Sequence, residues 1–303
     1  MKKFALALIS CSLLLAGCGS ATTNLQNKND VIMTIGDTTI TLGDEYECDK
    51  LSNGSTMVME IVKKKVYDKN VEITDEIKEE ANKQYEELLT YYTDLESQLI
   101  SLGYKDKDDY INRVLMGSAQ STALTKKYFE DNKEEIRTTY KPSVAKILEC
   151  DDEETAKKAL QALKDGTDPE EVYNTYKSAD ATYTNADTVI TTNLTLPTRL
   201  INTLYEAEKT GVIDEVFKFD GEEEVNYLYS YVAILVDNDY DKILSQVMDS
   251  IIASDTEIND KALLYYLKKY DFKIHDQDIF DYMKVNTPKY LVSHPELAET
   301  ETE

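Results

Sequence analysis

The chain of 303 residues has a formal net charge of −25, and 42% of its residues are apolar. This length and apolar content suffice for one large or two modest domains with a buried core, and they exclude a fully disordered chain. The negative charge would repel a phosphate backbone, so it excludes nucleic-acid binding and favours neutral or cationic partners.

The first residues follow the pattern of a bacterial targeting segment. The chain begins with MKK, continues with the apolar run FALALISCSLLLAG and reaches Cys18 directly after small residues. The run is too short to span a membrane comfortably, and small residues before a cysteine are typical of a lipoprotein signal. We expect residues 1–17 to be a signal peptide, Cys18 to be lipidated and residues 18–30 to be a flexible tether. A plain secretory peptide with an incidental cysteine is the alternative.

The mature chain is therefore expected on the extracytoplasmic face of a bacterial cell membrane, attached through its N-terminal lipid. Beyond Cys18, the chain contains Cys48 and Cys150, which are far apart in the sequence. We expect both to be buried free thiols, with a disulfide between them as an open alternative. No cysteine–histidine cluster indicates a metal site, and no motif indicates a cofactor.

The N-terminal part of the mature chain has a hairpin pattern followed by helical patterns. Residues 31–42 alternate as a strand does on both sides of Gly36-Asp37, which predicts a β-hairpin. The spacing of apolar residues then predicts helical segments that begin at residue 43 and extend over residues 55–67, 75–102 and 107–130. Thr74 is expected to cap the longest helix and Gly103 to end it.

From Pro142 the pattern changes to short strands mixed with helices. Residues 178–196 are polar and contain one weak strand. The elements around them are a strand at 144–148, helices at 152–165 and from Pro169, a helix that ends at Gly211, and strands at 215–219 and 227–236. The predicted order is strand, two helices, a loop, a third helix and two strands.

The C-terminal part is predicted to be helical again. Residues 241–269 have the helical period with a break at 254–260. A short strand or extended piece and a last helix follow in the sequence FKIHDQDIFDYM. The tail from Thr287 onward is polar and is expected to be disordered.

The order of these elements and several short motifs resemble the PrsA-type foldase lipoproteins and, more loosely, the SurA-type periplasmic chaperones. The motifs are IGDTTITLGDEYECDK, VEITDEIKEEANKQY, LGYKDKDDYINRVL, ALTKKYFEDN and YDFKIHDQDIFDYM. The resemblance implies an α+β fold with a mostly helical chaperone module formed by residues 31–138. It also implies an inserted parvulin-like β-α-α-α-β-β domain over residues 139–240. Residues 241–303 would return to the N-terminal module.

The parvulin-like domain lacks the residues that usually mark its active site. Such domains resemble this one in frame, but they carry a histidine where VAKIL has Lys146 and a second one near Val232. The histidines of this chain are His275 and His294, both outside the domain. A lysine brings a strongly hydrated charge that does not suit a dry proline pocket. Cys150 is a weak candidate for a surviving thiol, with a small buried residue as the simpler interpretation. The candidate walls of the pocket are Leu196, Leu200 and Leu204.

Tyrosines are the main candidates for binding a client polypeptide. The chain contains 22 tyrosines and no tryptophan. Only one of two adjacent rings on a helix can face fully inward, so the other is left for a groove or a ligand. The alternative is that these rings seal the N-terminal segment against the C-terminal segment. We expect the client site in residues 31–138 and 241–285. Besides the three leucines, the candidate residues are Tyr85, Tyr91, Tyr92, Leu95, Tyr265 and Tyr266.

The leading hypothesis is a membrane-anchored chaperone that binds unfolded secreted polypeptides and has lost isomerase activity. The central domain would then have been retained for its shape. One alternative is an active peptidyl-prolyl cis-trans isomerase that assists the folding of secreted proteins. A second alternative is a surface lipoprotein with one fixed partner. A homodimer is left open.

Overall fold

The computed structural model describes residues 25–219 and 229–298, so the predicted signal peptide, Cys18 and the acidic loop at 221–225 lie outside the described residues. The described residues form two compact units. The first contains residues 25–70 and 263–298, and the second contains residues 71–219 and 229–262. Among the described residues, no helix combines the length and apolar character that crossing a membrane requires.

The first unit begins with a β-hairpin and a long helix. Strands β1 (Val31–Ile35) and β2 (Thr38–Thr41) pair antiparallel, as predicted, around Gly36, whose φ of +59° suits glycine. Helix α1 (Leu42–Asn70) is one continuous helix rather than the two predicted segments. Gly54 does not interrupt it, because an interior glycine costs only about 1 kcal/mol relative to alanine.

The base of the hairpin is fixed to the start of α1 by backbone hydrogen bonds. The amide of Leu42 donates to the carbonyl of Asp30, and the amide of Gly43 donates to the carbonyl of Lys28, both at 2.8 Å. A Cβ atom on Gly43 would lie 2.8 Å from that Lys28 oxygen, so glycine permits the close approach. The preceding turn therefore holds the base of the hairpin in place.

The C-terminal part of the first unit packs on α1 through an ion pair. Helix α12 (Gln277–Asn286) contacts α1, and Lys50 donates to Asp278 at 2.6 Å. The Lys50 side chain is only 4% exposed, and Asp278 raises its pKa. The Asp278 side chain is 48% exposed, so solvent screens this pair more than it would a fully buried one.

The C-terminal tail differs from the prediction of disorder as far as residue 298. Two 3-10 turns follow α12, at Pro288–Tyr290 and Pro295–Leu297, and Tyr290 and Leu291 are buried. The few apolar side chains of this mostly polar tail, such as Tyr290 and Leu291, are sufficient to pack it into the first unit. Residues 272–275, predicted as a short strand or extended piece, join neither described sheet.

In the second unit, one set of helices precedes the sheet in the chain or follows it, and a second set lies between its strands. The helices of the first set are α2 (Asp75–Tyr91), α3 (Leu95–Ser101), α4 (Lys107–Tyr110), a π-helical turn (Ile111–Leu115), α5 (Met116–Asp131), α6 (Lys133–Tyr140), α10 (Tyr240–Ser254) and the first part of α11 (Ile258–Lys269). The predicted helix 75–102 is broken, because Tyr92 has extended backbone angles and Asp94 begins α3. The run Thr-Tyr-Tyr-Thr before Asp94 has low helix propensity, which allows the break.

The sheet of the second unit is antiparallel, with four strands in the order β4-β3-β6-β5. The strands are β3 (Ser143–Cys150), β4 (Thr188–Ile190), β5 (Gly211–Val212) and β6 (Ser230–Asp237). The helices are α7 (Glu153–Lys164), α8 (Pro169–Tyr176) and α9 (Thr198–Glu206). The predicted α+β class is confirmed. Helix α9 ends at Glu206 rather than at Gly211, and the predicted strand at 215–219 contributes only a bridge between Phe217 and Tyr231.

Aspartate caps define the starts of the helices that follow β3. The carboxylate of Asp152 accepts from the amide of Thr155 at 2.7 Å at the start of α7. Asp168 accepts from the amide of Glu170 at 2.9 Å, with Pro169 in the first turn of α8. These caps satisfy amides that have no partner inside the helix, and proline is tolerated at this position for the same reason.

The sheet separates two hydrophobic cores because side chains alternate along each strand. On one face, Ile147 and Leu235 pack with Leu200 and Leu204 of α9. The opposite face packs against α7 and α8, and its buried residues are Leu148, Cys150, Ala156, Ala159, Leu163, Val172 and Val232. Each position on β3 and β6 is thereby assigned to one face.

A polar contact fixes the start of the sheet to the helices of the same unit. The Tyr140 hydroxyl donates to the carboxylate of Asp255 at 2.7 Å, and Lys261 donates to the same oxygen at 2.9 Å. Burial and the contact with Asp255 raise the pKa of Tyr140. The amide of Thr192 donates to the carbonyl of Tyr140. These contacts fix Tyr140, which lies just before the first strand of the sheet.

Candidate functional site

A shallow cleft beside β3 brings together the two positions at which the resemblance places histidines. It opens on the face of the sheet that carries α7 and α8. Its lining includes Lys146, Leu148, Val172, Tyr173, Val232 and Ile234. The walls are mainly apolar, with one amine and one phenol at the rim.

Lys146 is engaged with the loop that precedes β4. Its Nζ donates to the backbone oxygen of Asn185 at 2.7 Å and lies 3.3 Å from Oδ1 of Asp187. Its side chain is 31% exposed, so the charge remains partly hydrated. The hydroxyl of Tyr173 donates to the backbone oxygen of Tyr183 in the same loop. Both polar side chains therefore hold the loop instead of pointing free into the cleft.

Val232 provides no polar group to this cleft. It is 1% exposed and lies opposite Leu148 in the register of β3 and β6. An apolar residue here completes the core against α7 and α8. Neither β3 nor β6 carries a histidine.

Cys150 is inert in this position. It is fully buried, and burial raises the pKa of its thiol to about 12, with Asp151 and Asp152 adding to the shift. A protonated thiol is a poor nucleophile, so Cys150 is a small core residue. The prediction that both thiols are buried is wrong for Cys48, which lies exposed on α1. Both cysteines are free in the structure.

The three leucines suggested as pocket walls pack in the other core. Leu196, Leu200 and Leu204 are at most 4% exposed, on the face opposite Lys146 and Val232. They are thus separated from the cleft by the sheet itself. Leu200 and Leu204 lie on α9 and Leu196 precedes it, and the helical period cannot tell which face of a sheet a helix covers.

Glu149 is a buried acidic residue that sequence reasoning did not single out. It is 3% exposed, and its carboxylate accepts from the amide of Thr182 at 2.8 Å. Its backbone oxygen accepts from the amide of Ser178. Burial, with a smaller contribution from Glu149, raises the pKa of Tyr183 to about 12. Glu149 therefore positions the polar loop that follows α8. An acidic residue beside Leu148 and Cys150 in a mostly apolar strand was the available signal.

A second candidate surface lies at the end of α2, where apolar side chains are exposed. We call the residues Leu89, Tyr91 and Tyr92 the tyrosine surface. Tyr91 is 80% exposed and Tyr92 is 46% exposed, whereas the nearby candidates Tyr85 and Leu95 are buried. Both rings of the pair are exposed because α2 ends between them. The sequence argument, which assumed a continuous helix, expected only one.

A cluster of rings lies in the core next to this surface. Tyr110 makes edge contacts with Tyr85 at 6.5 Å and with Tyr104 at 5.0 Å between ring centroids. Burial, followed by Tyr104 and Tyr92, raises the pKa of Tyr110. Lys107 lies 4.6 Å above the ring of Tyr85. Tyr92 thus lies beside a packed aromatic base, which limits the conformational freedom of the tyrosine surface.

The pair Tyr265 and Tyr266 has a different environment in the first unit. Tyr266 is fully buried, Tyr265 is half-buried, and their rings meet edge to face at 5.0 Å. Tyr270 stacks on Tyr266 at 6.2 Å and donates to Asn70 at the end of α1. The hydrogen bond of Tyr270 therefore links the end of α11 to the end of α1. Within residues 25–219 and 229–298, no three acidic, cysteine or histidine side chains are grouped to hold a metal ion.

Comparisons with known proteins gave similar solved structures but no related family. No protein-family model matches the chain, and no curated protein matches it. The foldase protein PrsA from Streptococcus pneumoniae is 18% identical, with 82% of this chain and 96% of that chain covered and a TM-score of 0.38. The peptidylprolyl isomerase PrsA from Bacillus cereus is 20% identical, with coverages of 85% and 98% and a TM-score of 0.45.

PrsA from Bacillus subtilis is also similar, at 18% identity, with 83% of this chain and 97% of that chain covered and a TM-score of 0.36. The solved structures to which this chain is similar are therefore PrsA foldases from several bacteria, as the sequence resemblance predicted.

Proposed function

We propose that the protein is a lipid-anchored extracytoplasmic chaperone that binds unfolded secreted polypeptides and does not catalyse proline isomerisation. The observation that carries the proposal is the tyrosine surface, on which two adjacent rings are exposed beside a packed aromatic base. The foldases named in the comparisons are the class of protein to which the proposal assigns this chain.

Exposed tyrosines suit a client that presents apolar side chains without a fixed order. A phenol ring offers a large apolar face and a polar tip, and fixing it costs little side-chain entropy. Contiguous exposed apolar residues on a folded protein usually mark a binding surface. The net charge of −25 would keep the complex with an apolar client in solution.

The cleft beside β3 supports the second half of the proposal, the loss of isomerase activity. Rotation about a peptide bond faces a barrier of about 18–20 kcal/mol, and a catalyst must bind the twisted amide better than the planar one. Here Lys146 is paired with Asp187, Val232 is buried and Cys150 is protonated. None of these groups is arranged to stabilise a twisted amide.

The proposal is tested by suppression of aggregation of a chemically denatured model protein, followed by light scattering. Replacing both rings with Tyr91→Ser and Tyr92→Ser should weaken suppression about tenfold in required chaperone concentration. This factor corresponds to the loss of about 1.4 kcal/mol of contact energy. Tyr282→Ser is the matched control, because it changes a partly exposed tyrosine on α12.

A wild-type chain that leaves aggregation unchanged would contradict the chaperone proposal. Equal suppression by the wild type and the double variant would show that clients bind elsewhere. Circular dichroism of both variants verifies that the helices are retained, so a loss of suppression can be assigned to the surface.

A further inference from the structure

Strand β1 of the N-terminal hairpin exposes apolar side chains. All five of its residues are exposed. The large ones are Val31 (54%), Ile32 (38%), Met33 (55%) and Ile35 (68%). Successive side chains of a strand point to opposite faces, so Met33 and Ile35 share one face, and the register shifts between Val31 and Met33. A two-stranded hairpin is marginally stable in water, and a further strand would stabilise it.

The backbone of β1 also has a free edge. Among the described residues, β1 pairs with β2 alone. Ile35 and Thr38 flank the two-residue turn and form the pair that exchanges both hydrogen bonds. The next pair, Thr34 and Thr39, therefore directs its amide and carbonyl groups outward, Thr34 at the free edge of β1 and Thr39 at that of β2. An extended peptide bonds to such an edge through its main chain, whatever its sequence.

The charge around the hairpin selects between possible occupants. Between residues 30 and 49 the chain carries six acidic side chains and no basic one. Four of them, Asp44, Glu45, Glu47 and Asp49, are exposed at the start of α1. A second copy of the chain would bring like charges together, and an anionic lipid surface would be repelled for the same reason. A peptide with Lys or Arg beside its apolar residues would instead be attracted.

We propose that the free edge of β1 binds an extended apolar client segment flanked by lysine or arginine, which joins the hairpin as a third strand. This inference rests on the proposed chaperone function and specifies the kind of sequence that the chaperone would hold. Main-chain hydrogen bonds would provide affinity for many sequences, and the acidic residues would provide the preference for basic flanks.

The test measures binding of a labelled peptide to the full chain by fluorescence anisotropy. The probe alternates valine with threonine and carries lysine at both ends, and a second probe carries glutamate there. Thr34→Pro should weaken binding of the lysine probe about tenfold, because proline removes the outward donor at the β1 edge. Thr39→Pro is the matched control, because it removes the outward donor at the other edge of the hairpin. The glutamate probe should bind about tenfold more weakly than the lysine probe at low salt, with a smaller difference at high salt.

A variant with Met33→Thr and Ile35→Thr provides an independent measurement if Thr34→Pro unfolds the hairpin. It keeps the backbone donors and the strand propensity and should weaken binding by a similar factor. Equal effects of Thr34→Pro and Thr39→Pro, or no effect of any variant, would overturn the inference. So would sedimentation that shows dimers of the wild type lost in Thr34→Pro.

The aggregation assay separates this inference from the function on which it rests. If the wild type suppresses aggregation and Thr34→Pro suppresses it equally, the edge is not a client site and the chaperone proposal stands. If the wild type has no effect on aggregation, the chaperone proposal itself fails.

Discussion

Lys146 and Cys150 lie on the same face of β3, four positions apart, yet their side chains have opposite environments. The amine of Lys146 is partly exposed and paired with Asp187, whereas the thiol of Cys150 is fully buried. The difference follows from the sheet, because Lys146 lies near the edge of the helical cover and Cys150 lies in the core against α7 and α8. Sequence spacing gives the shared face, but only packing decides which side chain meets water.

The thiols should react at very different rates with an alkylating reagent. With a pKa of about 12, Cys150 is a thiolate in about one molecule in ten thousand at pH 8. We expect Cys48, which is exposed, to be alkylated in the native chain and Cys150 only after unfolding, as measured by mass spectrometry of tryptic peptides.

The pKa of the Cys150 thiol is higher in the folded chain than its ordinary value of about 9, so keeping this thiol protonated favours the folded state fully below about pH 9. The free energy of unfolding should decline as the pH rises from about 9 towards 12, because the unfolded chain loses the thiol proton first. Rapid native alkylation of Cys150 at pH 8 would contradict its assignment to the core.

At the scale of elements, the sequence predicted the strands and helices well where one strong period continued to a capping residue. The cap Thr74, the start of α8 at Pro169 and the antiparallel hairpin are where the pattern placed them. The two changes that matter for the site are the break after Tyr91 and the position of α9. The break and the position of α9 both depend on tertiary packing. Helix propensity and an apolar stripe do not indicate which neighbouring element a helix will contact.

The central sheet is expected to leave proline isomerisation unassisted. In a proline-limited refolding assay, the slow phase should keep its uncatalysed time of about 10–100 s at 25 °C in the presence of the full chain. The variant with Lys146→His and Val232→His should not accelerate it, because residues 178–196 also contain no glycine, tryptophan or phenylalanine. Strong acceleration by the wild type would restore the isomerase interpretation.

The whole molecule combines a net charge of −25 with an N-terminal sequence that predicts a targeting segment. The two compact units divide the chain at 70/71 and 262/263, so helices before and after the sheet group with it, and the domain boundaries at 138/139 and 240/241 stay a prediction. The contacts of Tyr140 with Asp255 and Thr192 explain this grouping. Such contacts join residues more than 50 positions apart, and no local pattern in the sequence predicts them.

The chain should partition with membranes through Cys18. A single acyl chain anchors a protein only marginally, so stable attachment requires more than one chain. In a detergent-phase partition, the wild type should enter the detergent phase and Cys18→Ala should stay in the aqueous phase. A wild-type chain that remains aqueous would refute the lipoprotein interpretation and leave a secreted protein.

The pairing of β3 with β6 has a consequence for how this protein could change over evolutionary time. These strands are the first and last of the sheet in the chain, yet they are neighbours, and Val144 lies opposite Asp237 at their ends. Entry and exit of the inserted segment are therefore about 5 Å apart, so a graft, deletion or exchange of the segment requires only a short splice. A segment joined in this way can change its own residues without forcing the flanking helices to be rebuilt.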